Sequence, residues 1–473
     1  MEERIVRLAA VSISNIKNVK NGTITFRNSR RKQFVLENSK IIGIYGQNGT
    51  GKTAVIDALF HLKKIMTGEP LEEELAECMD INAKQAVIAA DFDILLKGRI
   101  LETGYKVVLR RVGKHVEISQ ESISCAINVE GARTNKRNFA DFHRDDKETV
   151  FTPVRRFREV MEYYDGDDSE LRTAKKEAEK RNCSYIFGKE GRKIFCREYA
   201  NEFRECSAVV KALFLFALKN LLVIRNSRSG IVSADFIWPI MNKKEKSVKE
   251  MKESPALSVL EPLILDEEKG YLLEEAVEQM NTVLYTIIPG MKIEIRECGK
   301  PAAGGEAKER CVELVSVRDD RKAIPLRMES GGIKKLISIL NALIQGFGNP
   351  SVCLAIDELD TGIFEYMLDE LLIAFKDSAK GQMIFTAHNL RALKVLDRNN
   401  IIFASTDADD RYIRIKNLRE TDDLYDIYME SVASGSPEEA VYQATNSIRI
   451  AGEFRKAGRR VRREMPEGRN EEI

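Results

Sequence analysis

The residues able to do chemistry fall into four short stretches. The first is Gly46-Gln47-Asn48-Gly49-Thr50-Gly51-Lys52-Thr53, which fits G-x-x-x-x-G-K-[ST]. Its glycines let the backbone bend tightly and turn successive N–H groups toward phosphate oxygens. Lys52 adds a mobile positive charge for the β- and γ-phosphates, and the Thr53 hydroxyl can ligate Mg²⁺. The second is Asp357-Glu358, at the end of the apolar run from Val352 to Ile356. A buried strand here leaves Asp357 at its carboxyl edge, beside the strand that feeds the glycine loop, where it holds Mg²⁺ through water. Glu358 is then the candidate to orient and deprotonate an attacking water. The third stretch, Gln382 to Asn389, ends an apolar run in Thr386-Ala387-His388. A neutral imidazole there can donate to a γ-phosphate, although a structural histidine at a strand end fits the same residues. The fourth is Ser330-Gly331-Gly332, ahead of the apolar helix Leu336 to Phe347. It either presents N–H groups and a hydroxyl to an anion or is a plain N-cap with Ser330 as the capping residue.

Elements of the right kind surround these residues. Ile41 to Tyr45 predicts a strand running into the glycine loop, and Ala54 to Leu62 a helix whose positive end faces the same phosphates. Residues 4–27 predict a β-hairpin turning at Asn21-Gly22. Strands are expected at Gln85–Leu96, Tyr105–Val112, His115–Ile118 and Ser122–Val129, with Gly104 and Gly113 as turns. That spacing adds an antiparallel layer to an N-terminal ATPase lobe over residues 1–135. Residues 140–255 read as an α-helical insertion, with helical periodicity at 155–164 and 168–225 and a solvated lysine-rich loop at 242–252. Lys211 and Lys219 interrupt the most apolar run, Ala208 to Ile224, which therefore reads as a buried helix and not a membrane span. A helix over 271–287, strands at Met291–Arg296 and Cys311–Val317, and a flexible tip at 299–309 open a C-terminal lobe spanning 265–420. A helical tail, 421–473, follows. The expected class is α/β, with a mixed or parallel central sheet, an antiparallel β layer and the helical insertion.

Composition narrows the function classes. The 75 basic and 74 acidic residues nearly cancel, so global charge argues neither for nor against nucleic acid. The basic clusters Arg155-Arg156-Phe157-Arg158 and Arg459 to Arg463 read either as phosphate contacts or as solvated charge on helix faces. Eight cysteines form no C-x-x-C pair, which predicts reduced thiols in a cytoplasmic protein and no zinc site. The opening Met-Glu-Glu-Arg lacks the apolar core of a secretory signal.

The order of glycine loop, Ser-Gly-Gly helix, Asp-Glu strand with Leu359-Asp360, and Thr-Ala-His resembles the ATP-binding-cassette (ABC-type) ATPases of the SMC/RecF class. It resembles more closely the OLD-like (AAA15-type) ATPases of bacterial anti-phage defence, such as the ATPase subunits of Septu- or PARIS-like modules. The opening Ser14-Asn15-Ile16-Lys17-Asn18 also resembles that group. The resemblance covers about 1–130 and 265–420. It implies an ABC-type P-loop NTPase fold with ATP and Mg²⁺ as cofactors. Gly46 to Thr53 would wrap the triphosphate, with Asn48 near the γ-phosphate. Thr53 and Asp357 would serve Mg²⁺, with Glu358 the catalytic carboxylate and His388 the switch histidine. Ser330, Gly331 and Gly332 would act in trans on ATP held by a second protomer, so a homodimer or higher homo-oligomer is implied. Regulation of a separate effector, a nuclease or toxin, follows from the same resemblance. The alternative is a RecF-like DNA-repair ATPase that clamps DNA. Two departures stand out. Thr361-Gly362-Ile363-Phe364-Glu365-Tyr366 replaces a Leu-His-Pro-like stretch, and the residues after Glu420 are too few for a Toprim nuclease domain. The resemblance therefore implies an ATPase without nuclease activity and without a membrane partner.

Overall fold

The computed structural model describes residues 4–26, 40–129, 132–225, 237–239, 256–258, 261–298, 310–319, 321–415, 424–434 and 447–464. The lysine-rich stretch at 242–252 and the hairpin tip at 299–309 lie outside them.

Strands β1 (Arg4–Ile16) and β2 (Val19–Thr25) form the expected hairpin, but its turn is at Lys17-Asn18. Asn21 and Gly22 instead lie inside β2, opposite Ser14 and Ile13. Gly22 answers a packing demand: a Cβ there would stand 2.6 Å from the Tyr412 ring. The chain continues through β3 (Lys40–Tyr45), α1 (Lys52–Thr67) and α2 (Glu73–Cys78). It then builds the antiparallel layer from β4 (Gln85–Leu96), β5 (Arg99–Val112), β6 (His115–Val129), β7 (Ala132–Arg133) and β8 (Arg137–His143). Gly104 is not a turn, since it lies within β5 opposite Asp91 and Ser124. The chain reverses at Lys97-Gly98, where both residues have positive φ, and at Gly113 as expected. His115–Ile118 and Ser122–Val129 are one strand, its register shifting opposite Val108 and Leu109.

Helices α3 (Val154–Met161), α4 (Ser169–Arg181), α5 (Lys189–Phe195) and α6 (Phe203–Lys219) share one core with α1 and the antiparallel sheet. The run from Ala208 to Ile224 is not a single helix. It divides at Asn220 into α6, which packs on α1, and β9 (Leu221–Ile224). The residues 140–255 expected as a helical insertion thus include β9, a strand of the central sheet. Four apolar residues with β-branched Val223 and Ile224 suit a strand buried beside another better than a helix end.

A short ribbon, β10 (Ile237–Pro239) and β11 (Ala256–Ser258), precedes a second antiparallel sheet. That sheet comprises β12 (Leu263–Leu265), β13 (Met291–Glu297), β14 (Arg310–Arg318) and β15 (Arg321–Pro325), with α7 (Glu267–Ile287) packed on it. The chain closes through α8 (Gly331–Gly348), β16 (Cys353–Ile356), α9 (Glu365–Ser378), β17 (Gln382–Thr386), α10 (Ala392–Val395), β18 (Ile401–Ala404), β19 (Tyr412–Ile413), α11 (Leu424–Ser434) and α12 (Ser447–Glu464).

The central sheet has the order β19-β18-β3-β17-β16-β9, parallel throughout except for β19. Here the expectation for the carboxylate strand needs correcting: β17 lies between β3 and β16, so Asp357 is two strands from the glycine-loop strand. Alternate residues serve opposite cores. Ile42, Ile44, Cys353 and Ala355 join the core containing α1 and α6, while Ile41, Tyr45, Leu354 and Ile356 pack with residues of α8 and α9. Burial on both faces explains why these strands read as unbroken apolar runs. Parallel pairing also brings the carboxyl ends of β3, β17 and β16 to one edge, where ligands of open α/β sheets bind. Among the described residues no helix is long and apolar enough to cross a membrane.

Candidate functional site

The glycine loop leaves β3 at Tyr45 and enters α1 at Lys52. Gly46, Gly49 and Gly51 have φ of 150°, 83° and 88°, values at which a side chain is strained, so the glycines are required by the loop's path. Neighbouring segments hold the loop in place. The Asn18 amide donates to the Gly49 carbonyl, and the Tyr412 hydroxyl donates to the Gly51 carbonyl at 2.7 Å. Arg411 donates to the Asn18 carbonyl at 2.7 Å, which fixes the β1–β2 turn in its turn. Thr50 Oγ1 donates to the Gln47 carbonyl at 2.7 Å, while Asn48 and Gly49 remain exposed at the loop's crest. Lys52 Nζ donates to the carbonyls of Gly46 and Gln47 at 2.7 and 3.0 Å, so the ammonium lies across the loop. Burial lowers its pKa, and the negative charges of Glu358, Asp357 and Asp360 oppose that shift.

The carboxylates converge on the same place. Asp357 Oδ1 accepts from Thr53 Oγ1 at 3.1 Å and from Thr386 Oγ1 at 2.7 Å. Those hydroxyls bridge the one-strand gap between β3 and β16: Thr53 reaches from α1 and Thr386 from the intervening β17. Burial raises the Asp357 pKa, with the two hydroxyl bonds pulling the other way. A buried carboxylate beside a threonine hydroxyl, close to the Glu358 and Asp57 charges, is an all-oxygen donor set suited to a hard cation such as Mg²⁺. A divalent ion there would offset the charge that desolvation makes costly. Glu358 has φ 46°, rare for a residue with a side chain, and its N–H donates to Thr386 Oγ1 at 2.8 Å. The Glu358 carboxylate accepts from Thr361 Oγ1 at 3.2 Å and lies 3.8 Å from His388 Nε2. His388 is itself held by its backbone. Its N–H donates to Asp360 Oδ2 at 2.8 Å, and the Asn389 N–H donates to the same oxygen at 2.6 Å.

The fourth stretch lies elsewhere on the fold. Ser330 caps α8, its Oγ accepting from the Ile333 N–H at 3.3 Å, so the N-cap reading holds as local structure. Ser330 and Gly331 are nevertheless exposed. Gly332 is pressed against Gly362, whose carbonyl oxygen would lie 1.9 Å from a Cβ at position 332. One turn further on, buried Lys335 donates from Nζ to the Asp357 carbonyl at 2.9 Å. The helix that carries Ser330 is thereby fastened to the turn that carries Asp357 and Glu358.

Thr386, Asp360 and Lys335 were not singled out for these roles in the sequence. Leu359-Asp360 was part of the recognised order, and Thr386 ended a recognised strand, so both carried a weak signal. Lys335 carried none, because a lysine on a helix face ordinarily reads as solvated.

A glycine loop, a carboxylate strand and a histidine strand share one edge of a parallel sheet, flanked by an antiparallel lobe. Together they form an α/β fold with a P-loop nucleotide site at the carboxyl edge of its parallel strands. Residues 10–254, more than half of the chain, match the model of the AAA domain family, and the chain belongs to that family. Among curated proteins none matches. Solved structures similar to this one include an Smc head domain with a coiled coil and joint from Pyrococcus yayanosii. It is 13% identical over 90% of this chain and 100% of that one, with a TM-score of 0.41. An Smc head with an extended coiled coil from Pyrococcus furiosus, bound to the C-terminal domain of ScpA, is 13% identical over 91% and 99%, with a TM-score of 0.40. The SMC head domain from Thermotoga maritima is 12% identical over 87% and 100%, with a TM-score of 0.34.

Proposed function

We propose that this chain binds MgATP in the glycine loop, pairs head to tail with a second copy through composite sites, and hydrolyses ATP slowly. Lys52 and the loop N–H groups hold the phosphates, while Thr53 and Asp357 hold Mg²⁺, which supplies charge neutralisation at the phosphates. Glu358 takes a proton from the attacking water, and His388 donates to the γ-phosphate. Ser330, Gly331 and Gly332 cap the ATP of the partner. The observation that carries this reading is a second exposed helix end. The glycine loop is braced by its own chain with its crest at Asn48 and Gly49 open, and Ser330-Gly331 is likewise turned outward, on a helix fastened to the turn of Asp357 and Glu358. Closure of the dimer is the signal passed to a separate effector, a nuclease or toxin. The resemblance to OLD-like ATPases supports an anti-phage setting for that signal.

The test is ATP-dependent dimerisation of Glu358→Gln. The amide keeps the shape of the carboxylate but takes no proton from water, so turnover should fall about 10²–10⁴-fold while the ATP-bridged dimer accumulates. Adding Ser330→Arg should return this variant to a monomer in sedimentation with ATP. If Glu358→Gln keeps its apo size at saturating ATP, the trans role of Ser330 fails. Binding to DNA that requires ATP and weakens steeply with salt would point instead to a DNA clamp.

A further inference from the structure

Two cysteines stand together on the sheet that leads into Ser330. Cys298 directly follows β13 and Cys311 is the second residue of β14, so they extend an antiparallel register in which Glu297 pairs with Val312. The Cys298 N–H donates to the Cys311 carbonyl at 3.0 Å, and the two Sγ atoms are also 3.0 Å apart. Opposed residues of antiparallel strands have Cα atoms about 4.5–5.5 Å apart. A disulfide needs about 4.4–6.8 Å, so the backbone already meets its requirement. Both side chains are partly exposed, whereas Cys78, Cys125, Cys183, Cys206 and Cys353 are buried.

We propose that Cys298 and Cys311 form a covalent modification site, a dithiol that a low-molecular-weight disulfide converts reversibly into a cross-strand disulfide. The Cys311 thiolate attacks one sulfur of the small disulfide and expels one small thiolate, leaving a mixed disulfide on Cys311. Cys298 then loses its proton and attacks the Cys311 sulfur, breaking the mixed bond and expelling the second small thiolate. Two protein thiols are oxidised, one small disulfide is reduced to two thiols, and the two cysteine protons end on those thiols. The hydrogen bond to Cys311 and partial burial push the Cys298 thiol up to about 11, and the same exchange runs from either sulfur because the two lie side by side.

The position gives the staple a consequence. Two residues along β14, Glu313 accepts from Arg296 on β13 at 3.1 Å and from Arg327 at 2.6 Å, three residues before Ser330. A covalent bond between Cys298 and Cys311 fixes the β13–β14 pairing on which the Arg296 bond depends, and Glu313 carries that constraint to Arg327. The proposal itself stands apart from the proposed function, because it requires neither ATP nor a dimer.

Oxidised glutathione, applied to the folded full-length protein, provides the test. The free-thiol count should fall by two per chain, and a non-reduced peptide map should contain one fragment joining Cys298 to Cys311. Melting temperature should rise by a few degrees, on the order expected for closing a short loop, and return on reduction. Cys298→Ser should trap a stable glutathione adduct on Cys311, and Cys311→Ser should trap one on Cys298. Unchanged circular dichroism of both variants guards against misfolding. A wild-type chain that stays fully reduced would overturn the site. So would one that keeps glutathione on Cys311 without closing, or that links either cysteine to a different one.

Discussion

The N-terminal ends of α1 and α8 both carry glycine, and the fold braces them in different ways. At α1 the loop is braced all round below its open crest: Asn18, Tyr412 and Asp357 bind the loop and first turn from three separate segments. At α8 the first residues are exposed, and only the rear of the helix is fastened, through Gly332 against Gly362 and through Lys335. A helix end satisfied by its own serine has no local need for glycines at its first two positions. Close approach explains Gly332, but nothing within 4 Å crowds Gly331. The difference teaches that one end is braced around an open crest while the other has its support built behind it and its face open.

The sharpest way to break this comparison is to disable each end separately. Lys52→Ala should lower turnover about 10²–10³-fold, the cost of losing one preorganised charge at the reacting phosphates, with the fold intact. Ser330→Arg should abolish turnover of the pure variant by blocking the open end. In a mixture of the two variants, every heterodimer contains one site made of two intact halves, so part of the activity should return. A mixture as inactive as its components would mean that the α8 end does not serve a partner.

A smaller effect is expected behind α8. Lys335→Met removes the ammonium from the Asp357 carbonyl while keeping much of the side chain's apolar length. Burial lowers the Lys335 pKa while Asp357, Glu358 and Asp360 oppose the shift, so the charge is held by those carboxylates. Loss of a buried charged hydrogen bond costs about 1.5–3 kcal/mol, which corresponds to at least about a tenfold loss if it falls on the catalytic turn. The expected result is a lower kcat with little change in KM, read from steady-state ATP turnover. Equal losses in kcat and nucleotide affinity would place Lys335 in binding instead.

Much of this site was legible because its short motifs depend on local spacing. The glycine loop and the Thr-Ala-His strand reach one sheet edge, the Asp-Glu strand reaches it one strand further from the loop than expected, and β4 matches its expected span. What failed were readings that depend on long-range partners. Asn21-Gly22 looked like a turn, yet Gly22 makes room for Tyr412 from nearly four hundred residues away. Gly104 looked like a break, yet it sits inside a strand with neighbours on both sides. Leu221 to Ile224 continued an apolar helix by composition and became a strand only because β16 is there to pair with it. Local chemistry announces itself in sequence, whereas sheet neighbours do not.

The smallest expected effect sharpens the braced side, past the middle of α1. His61 is buried at 2% exposure, and its Nε2 has no hydrogen-bond partner among the described residues. Desolvation lowers its pKa from 6.5 to about 4. Glu74, Asp57 and Glu72 oppose that shift, and Arg225 reinforces it. The unfolded chain therefore takes up a proton near pH 6.5, whereas the folded chain takes it up only near pH 4. Between those values the unfolded state holds more protons, so stability rises with pH. The contribution is complete above about pH 6.5 and declines as pH falls toward 4, where both states are protonated. At pH 5 the loss amounts to about 2 kcal/mol, from roughly one and a half units of unequal protonation. Other groups titrate over the same range, so the informative quantity is the difference between wild type and His61→Leu. Urea midpoints at pH 7.5 and pH 5 should show wild type losing more stability than the variant. Parallel loss in both proteins would show that His61 is not the group anchoring α1 against acid.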